Sequence, residues 1–136
     1  MIDPDVWTLV EKRLEQAESA ISDARFLFQG GGTTQGVVNR AYYGMFYAAL
    51  ALLQSIKKTT AKHSGVISLF DMEFVLKGVF PKEMSGDFHR AYDLRHKSDY
   101  FFLEPMPKEQ SEELLDKAAR FVQKVKDHFH SLPEKV

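Results

Sequence analysis

Apolar residues recur at the three-and-four spacing of amphipathic helices along most of this chain. Residues 39–55, NRAYYGMFYAALALLQS, differ by being apolar almost all round. Val38, Ala41, Met45, Ala48 and Leu52 form one stripe, and Tyr42, Phe46, Ala49 and Leu53 a second beside it. Tyr43, Tyr47, Leu50 and Ala51 carry apolar surface further round, and only Asn39, Arg40 and Gln54 interrupt it. A helix of this kind must be covered on most sides. It is therefore expected at the centre of the fold, capped by Thr33 or Thr34 and ending near Ile56.

Four more helices are expected around it. Asp3-Pro4 supplies an N-cap acceptor and a proline at the first helical position. Trp7, Val10, Leu14, Ala17, Ile21, Ala24 and Phe28 then mark one stripe, which Gly30, Gly31 and Gly32 stop. Beyond the polar break at 57–60, a third helix is read over 62–77, with Val66, Leu69, Phe70, Phe74 and Val75 inward, Gly78 at C′ and Phe80-Pro81 as the barrier. A fourth is read over 82–99, with Phe88, Tyr92 and Leu94 as its apolar residues. The segment 100–107, YFFLEPMP, reads as an ordered, aromatic-rich loop. The last helix starts near Pro107, turns Leu114, Ala118, Phe121, Val125 and Phe129 inward, and ends at Pro133. No segment has strand-like alternation, so the fold class is all-α: an antiparallel, up-and-down bundle of about five helices in a single domain, 1–136.

Composition narrows the function. The chain has 136 residues, enough for one core without staples. Its lack of cysteine excludes disulfides, thiolate metal sites and cysteine nucleophiles, and fits a cytoplasmic protein. Lys+Arg total 18 against 19 Asp+Glu, so a polyanion could be bound only by a local basic patch. No apolar run is long enough for a membrane span, and the start MIDPDVW lacks the layout of a signal peptide.

The strings NRAYYGMFYAALALL, KHSGVISLF, FVLKGVF, LRHKSDY and AARFVQKV, in this order over about 16–129, resemble the HEPN domain family. The resemblance implies a four- or five-helix bundle, often a homodimer. Many such domains are metal-independent ribonucleases, and many are toxins paired with a minimal nucleotidyltransferase antitoxin. Active members carry an arginine, four to six further residues and a histidine at the end of the fourth helix, and two copies meet across the dimer. The matching arginine here is Arg95, but Tyr100 stands where the histidine is expected. A formal match from Arg90 to His96 exists upstream of it, away from the Asp-Tyr pair that marks the family's arginine.

The candidate site follows. Arg95 and Asp99 are four apart and share a helical face. Either Arg95 offers its planar fork to a phosphate while Asp99 holds it, or the two form a structural ion pair. Arg40 either adds a cation to an anion-binding cleft with Tyr43 and Tyr47, or pairs with Asp93 or Asp99. Tyr100 can donate a hydrogen bond or stack on a base, since an ordinary phenol does not titrate near neutrality. Its other reading is an aromatic plug beside Phe101 and Phe102.

The expected site is thus Arg95, Asp99 and Tyr100 for catalysis, with Arg40, Tyr43, Tyr47 and His96 for ligand binding, RNA or a nucleotide as ligand, and no cofactor or metal. If RNA is cleaved, the 2′-hydroxyl attacks and Arg95 stabilises the phosphorane charge. His89, Asp93 and His96 share a face but make a poor metal triad, because only two neighbours in such a row reach one ion. His63 reads as a capping or solvent residue that could approach the central helix. Lys57, Lys58 and Lys62 read as solvated lysines or a phosphate-backbone patch. The rival to the RNA reading is a non-catalytic dimerisation or interaction module whose Arg–Asp pairs are structural.

Overall fold

The computed structural model describes residues 2–132, and these form five helices in an antiparallel up-and-down bundle with no strand among them. Pro133, expected to end the last helix, lies outside the described residues. The first helix, α1 (Pro4–Gln29), starts where the Asp3 carboxylate accepts the Asp5 amide at 2.8 Å. It ends at the glycines, where Gly31 takes a positive φ of 76° that a side chain would resist. The central helix, α2 (Thr34–Ser55), is capped by Thr33, whose hydroxyl accepts the Gly36 amide at 3.0 Å.

The near-complete apolar surface of α2 is covered from every side. It packs against α1, α3 (His63–Phe70), α4 (Lys82–Lys97) and α5 (Lys108–Ser131). Against α1 the backbones approach closely at Gly44: a Cβ there would lie 2.5 Å from Ile21 Cδ1. On the opposite side, Tyr42 joins an aromatic cluster drawn from three other helices. Phe70, Phe88 and Phe121 pack with centroids 5.2 to 5.7 Å apart, and Tyr42 lies 6.3 Å from Phe88. Burial of each ring stabilises the fold by about 1.5–3 kcal/mol.

Two expected helices are shorter than their spacing suggests. α3 gives way at Asp71 to a π-helical turn, Asp71–Val75, closed by the Leu76 amide on the Asp71 carbonyl at 2.8 Å. This wider turn seats the Glu73 carboxylate, almost fully buried, between Lys58 Nζ at 2.5 Å and Lys77 Nζ at 2.7 Å. Lys58 is therefore an anchor for this turn, not a free phosphate contact. Gly78 then takes a φ of 80°, as its C′ role requires. α4 stops at Lys97 and tightens into a 3₁₀ turn, Ser98–Tyr100, at whose start the Ser98 hydroxyl donates to the Arg95 carbonyl at 2.6 Å.

The following loop corrects a further expectation. Met106 is the residue that plugs it, with Phe101 half-buried beside the core. Tyr100 is 64% exposed and Phe102 79%, so neither is an aromatic plug.

Candidate functional site

The end of α4 lies against the N-terminal half of α2, and this crossing brings Arg95 to the tyrosines. Arg95 is half-buried. Its guanidinium carbon lies 5.5 Å from the Tyr43 ring centroid and 5.9 Å from that of Tyr42. Nη2 donates to the Tyr43 hydroxyl at 3.4 Å. Nε is sealed from solvent with no hydrogen-bond partner among the described residues. A donor left unsatisfied in this way costs about 1–3 kcal/mol, so this arginine is poorly served by its surroundings.

The expected Arg95–Asp99 ion pair does not form. Among the described residues neither Arg95 nor Arg40 is ion-paired to any carboxylate. The 3₁₀ turn explains the first absence: it rotates Asp99 off the helical i+4 position, and Asp99 Oδ1 instead faces Gln35 Nε2 at 3.5 Å. Arg40 donates from Nε to Asn39 Oδ1 at 3.1 Å and lies 5.2 Å from the Tyr43 ring centroid, so its expected pairing with Asp93 or Asp99 is also replaced.

Arg40, Arg95 and Asp99 meet in one cleft of about 390 Å³, walled by Leu27, Thr33, Gln35, Gly36, Asn39 and Ser98. The Thr33 cap and the open first turn of α2 form one end of it. Two guanidiniums against one exposed carboxylate make this cleft attractive to an anion. Arg40 also borders a second groove of about 590 Å³ between α1 and α2, lined by Lys12, Arg13 and Tyr47 among others.

The remaining expected residues are dispersed. Tyr43 does not line the cleft and meets it through its bond from Arg95. Tyr47 lies in the second groove, on the far side of Arg40. Tyr100 lines a different cavity, of about 550 Å³, with Lys97, Phe101 and Met106. His96 is exposed, its ring 4.3 Å from Tyr92 and its Nδ1 donating to the Tyr92 carbonyl at 2.9 Å. His89 turns away to Asp71 Oδ2 at 2.6 Å, and no group of three His, Cys, Asp or Glu side chains that could hold a metal ion occurs among the described residues.

One residue beside the tyrosines that Arg95 touches was expected only as a cap or solvent residue that could approach the central helix. His63, at the start of α3, is no cap: its ring stacks on Phe46 at 4.2 Å and its Nδ1 lies 3.1 Å from the Tyr42 hydroxyl. Burial, followed by the nearby Arg95 and His96, pushes its pKa below 6.5. Burial also raises the Tyr42 phenol further above neutrality, so Tyr42 keeps its proton. The sequence signal was the Tyr42–Phe46 pair one turn apart on α2, which offers a flat surface to whatever begins the next helix.

No helix among the described residues is long and apolar enough to cross a membrane. Comparison with known proteins gives a match to the HEPN domain over residues 10–128. A Methanocaldococcus jannaschii protein named "Putative toxin MJ0605" is 32% identical over 93% of this chain and 92% of its own length. A second protein of that organism, "Putative toxin MJ0142", is 33% identical over 90% of this chain and 82% of its own. A "UPF0332 protein" of Thermotoga maritima is 32% identical over 84% of this chain and 86% of its own.

Proposed function

The chain belongs to the HEPN domain family, and from that premise we propose that it is the toxin-type half of a HEPN–minimal nucleotidyltransferase pair, a cytoplasmic homodimer that binds RNA or nucleotide phosphate in the Arg40–Arg95 cleft. One observation carries this reading: two guanidiniums share a cleft and, among the described residues, neither is ion-paired to a carboxylate. Structural arginines in partly buried sites are normally paired. Phosphate oxygens would supply the acceptors that the protein withholds, and the guanidinium fork suits them.

In this reading Arg95 recognises phosphate, Arg40 adds charge, and Tyr43 orients Arg95. Should the RNA be cleaved, its own 2′-hydroxyl is the nucleophile and Arg95 stabilises the charge that builds on phosphorus. Asp99 does not hold Arg95, and Tyr100 lies in another cavity. That second fact favours a reading in which the protein binds RNA without cutting it. The deciding experiment is RNA binding and cleavage in EDTA by wild type and Arg95→Ala. Binding lost in the variant supports the cleft, and cleavage lost with it supports a nuclease. Equal behaviour of the two proteins overturns both.

A further inference from the structure

We propose that His63 is a ligand-binding residue of the Arg95 site, offering a neutral imidazole N–H to the same phosphate. The inference rests on the anion-binding reading above and adds a residue from a different helix, outside the sequence motif.

The argument starts from Tyr42. Its side chain is 0% exposed, and its hydroxyl has His63 Nδ1 as its hydrogen-bond partner, at 3.1 Å, among the described residues. A buried hydroxyl that kept its proton from the one acceptor in reach would leave a donor unsatisfied. Tyr42 therefore donates and Nδ1 accepts, which assigns the ring proton to Nε2. Nε2 itself has no hydrogen-bond partner among the described residues and is not sealed from solvent. The tyrosine thus turns the outer edge of His63 into a fixed donor.

His63 and Arg95 surround the same two phenols. The imidazole centroid lies 6.1 Å from that of Tyr42 and 5.8 Å from that of Tyr43, and the guanidinium carbon lies 5.9 and 5.5 Å from them. The ionisable groups that act on His63 are Arg95 and His96 from α4, both of which disfavour a charge on it. A neutral ring there gives a phosphate another hydrogen bond without the repulsion that another cation would bring to Arg95 before the ligand arrives. The plain alternative is a core histidine whose only task is to satisfy Tyr42.

The test compares full-length wild type, Arg95→Ala and the double variant Tyr42→Phe/His63→Phe. The double variant keeps an aromatic ring at each position and removes both polar groups together, which leaves no orphan and should be nearly neutral for folding. The probe is a fluorescein-labelled single-stranded RNA decamer read by anisotropy, with nitrogen-15 NMR of the wild-type imidazole as a second readout. Expected are about tenfold weaker binding by the double variant, an Nε2–H tautomer for His63, and a shift of its Nε2 signal on adding RNA. Undiminished binding by the double variant while Arg95→Ala fails would overturn the role of His63 and leave the cleft standing. An Nδ1–H tautomer would also overturn it. Wild type that ignores the RNA would overturn the cleft and this inference with it.

Discussion

Tyr43 accepts a hydrogen bond of 3.4 Å from Arg95, and its ring lies 5.5 Å from the same guanidinium. The partner of this arginine is thus a neutral phenol. A phenol can orient a guanidinium and contribute a cation–π attraction, but it leaves the positive charge available. That separates a recognition arginine from a structural one, and the two differ in what their removal does.

Arg95→Ala loses one long hydrogen bond to a neutral phenol and the ring contacts, together about 1 kcal/mol at most, because the unsatisfied Nε is removed with them. For a chain of this size the melting temperature should fall by only roughly 3–4 °C. RNA affinity should fall by at least about tenfold, and the slope of log affinity against log salt should flatten by roughly one phosphate contact. Calorimetry and anisotropy on the same samples check the split. A large stability loss would mark Arg95 as structural.

Asp99→Asn should act in the opposite sense. Among the described residues Asp99 is the one carboxylate in the wall of the Arg40–Arg95 cleft, and it holds neither arginine. Neutralising it should leave the melting temperature unchanged and strengthen RNA binding about threefold at low salt, with the gain fading as salt screens the site. Weaker binding would restore Asp99 as a ligand or positioning group.

Gly44→Val tests the close approach of α1 and α2. The added Cβ meets Ile21 Cδ1 at 2.5 Å and Cγ1 at 2.9 Å, so the helices must separate or Ile21 must move. A loss of about 2 kcal/mol, roughly 7 °C, is expected by differential scanning calorimetry. Ile21→Ala in the same chain should recover part of it, giving a non-additive double-mutant cycle.

Acid should weaken the fold in two stages. His63 and His128 are both held below 6.5 by burial, His128 against Phe74 and Phe80. Between their lowered folded values and 6.5 the unfolded chain binds more protons than the folded one. Their contribution is therefore complete above 6.5 and declines as pH falls below it. Glu73 is held below its ordinary 4.5 by hydrogen bonds from Lys58 and Lys77, so its contribution is present above 4.5 and lost only in stronger acid. Melting temperature against pH should show the first decline shallower in the Tyr42→Phe/His63→Phe variant, and the second unchanged in it.

The helices were legible in the sequence because their apolar stripes and stop signals agree: Asp3-Pro4, the glycine run, Gly78 and Pro81 each sit at a boundary. What sequence spacing misjudged is local hydrogen bonding that alters the helical repeat. α4 tightens into a 3₁₀ turn two residues before its expected end, which moves Asp99 away from Arg95, while the turn at Asp71–Val75 widens α3. The crossing of α2 and α4 brings Arg40, Arg95 and Asp99 to one cleft and leaves Tyr47, His96 and Tyr100 elsewhere, while His63, expected as a cap or solvent residue that could approach the central helix, meets Tyr42. Its role depends on a hydroxyl 21 positions away, and only the helix crossing brings the two together.

The position of α2 also governs how the molecule can come apart. It touches all four other helices, and the aromatic cluster that joins α3, α4 and α5 leans on its Tyr42. Peeling away any one neighbour, α1 above all, strips this axle of part of its bearings, and withdrawing the axle leaves no half-molecule able to stand. Denaturation should accordingly be one all-or-none event, with circular dichroism and tryptophan fluorescence from Trp7 tracing the same curve.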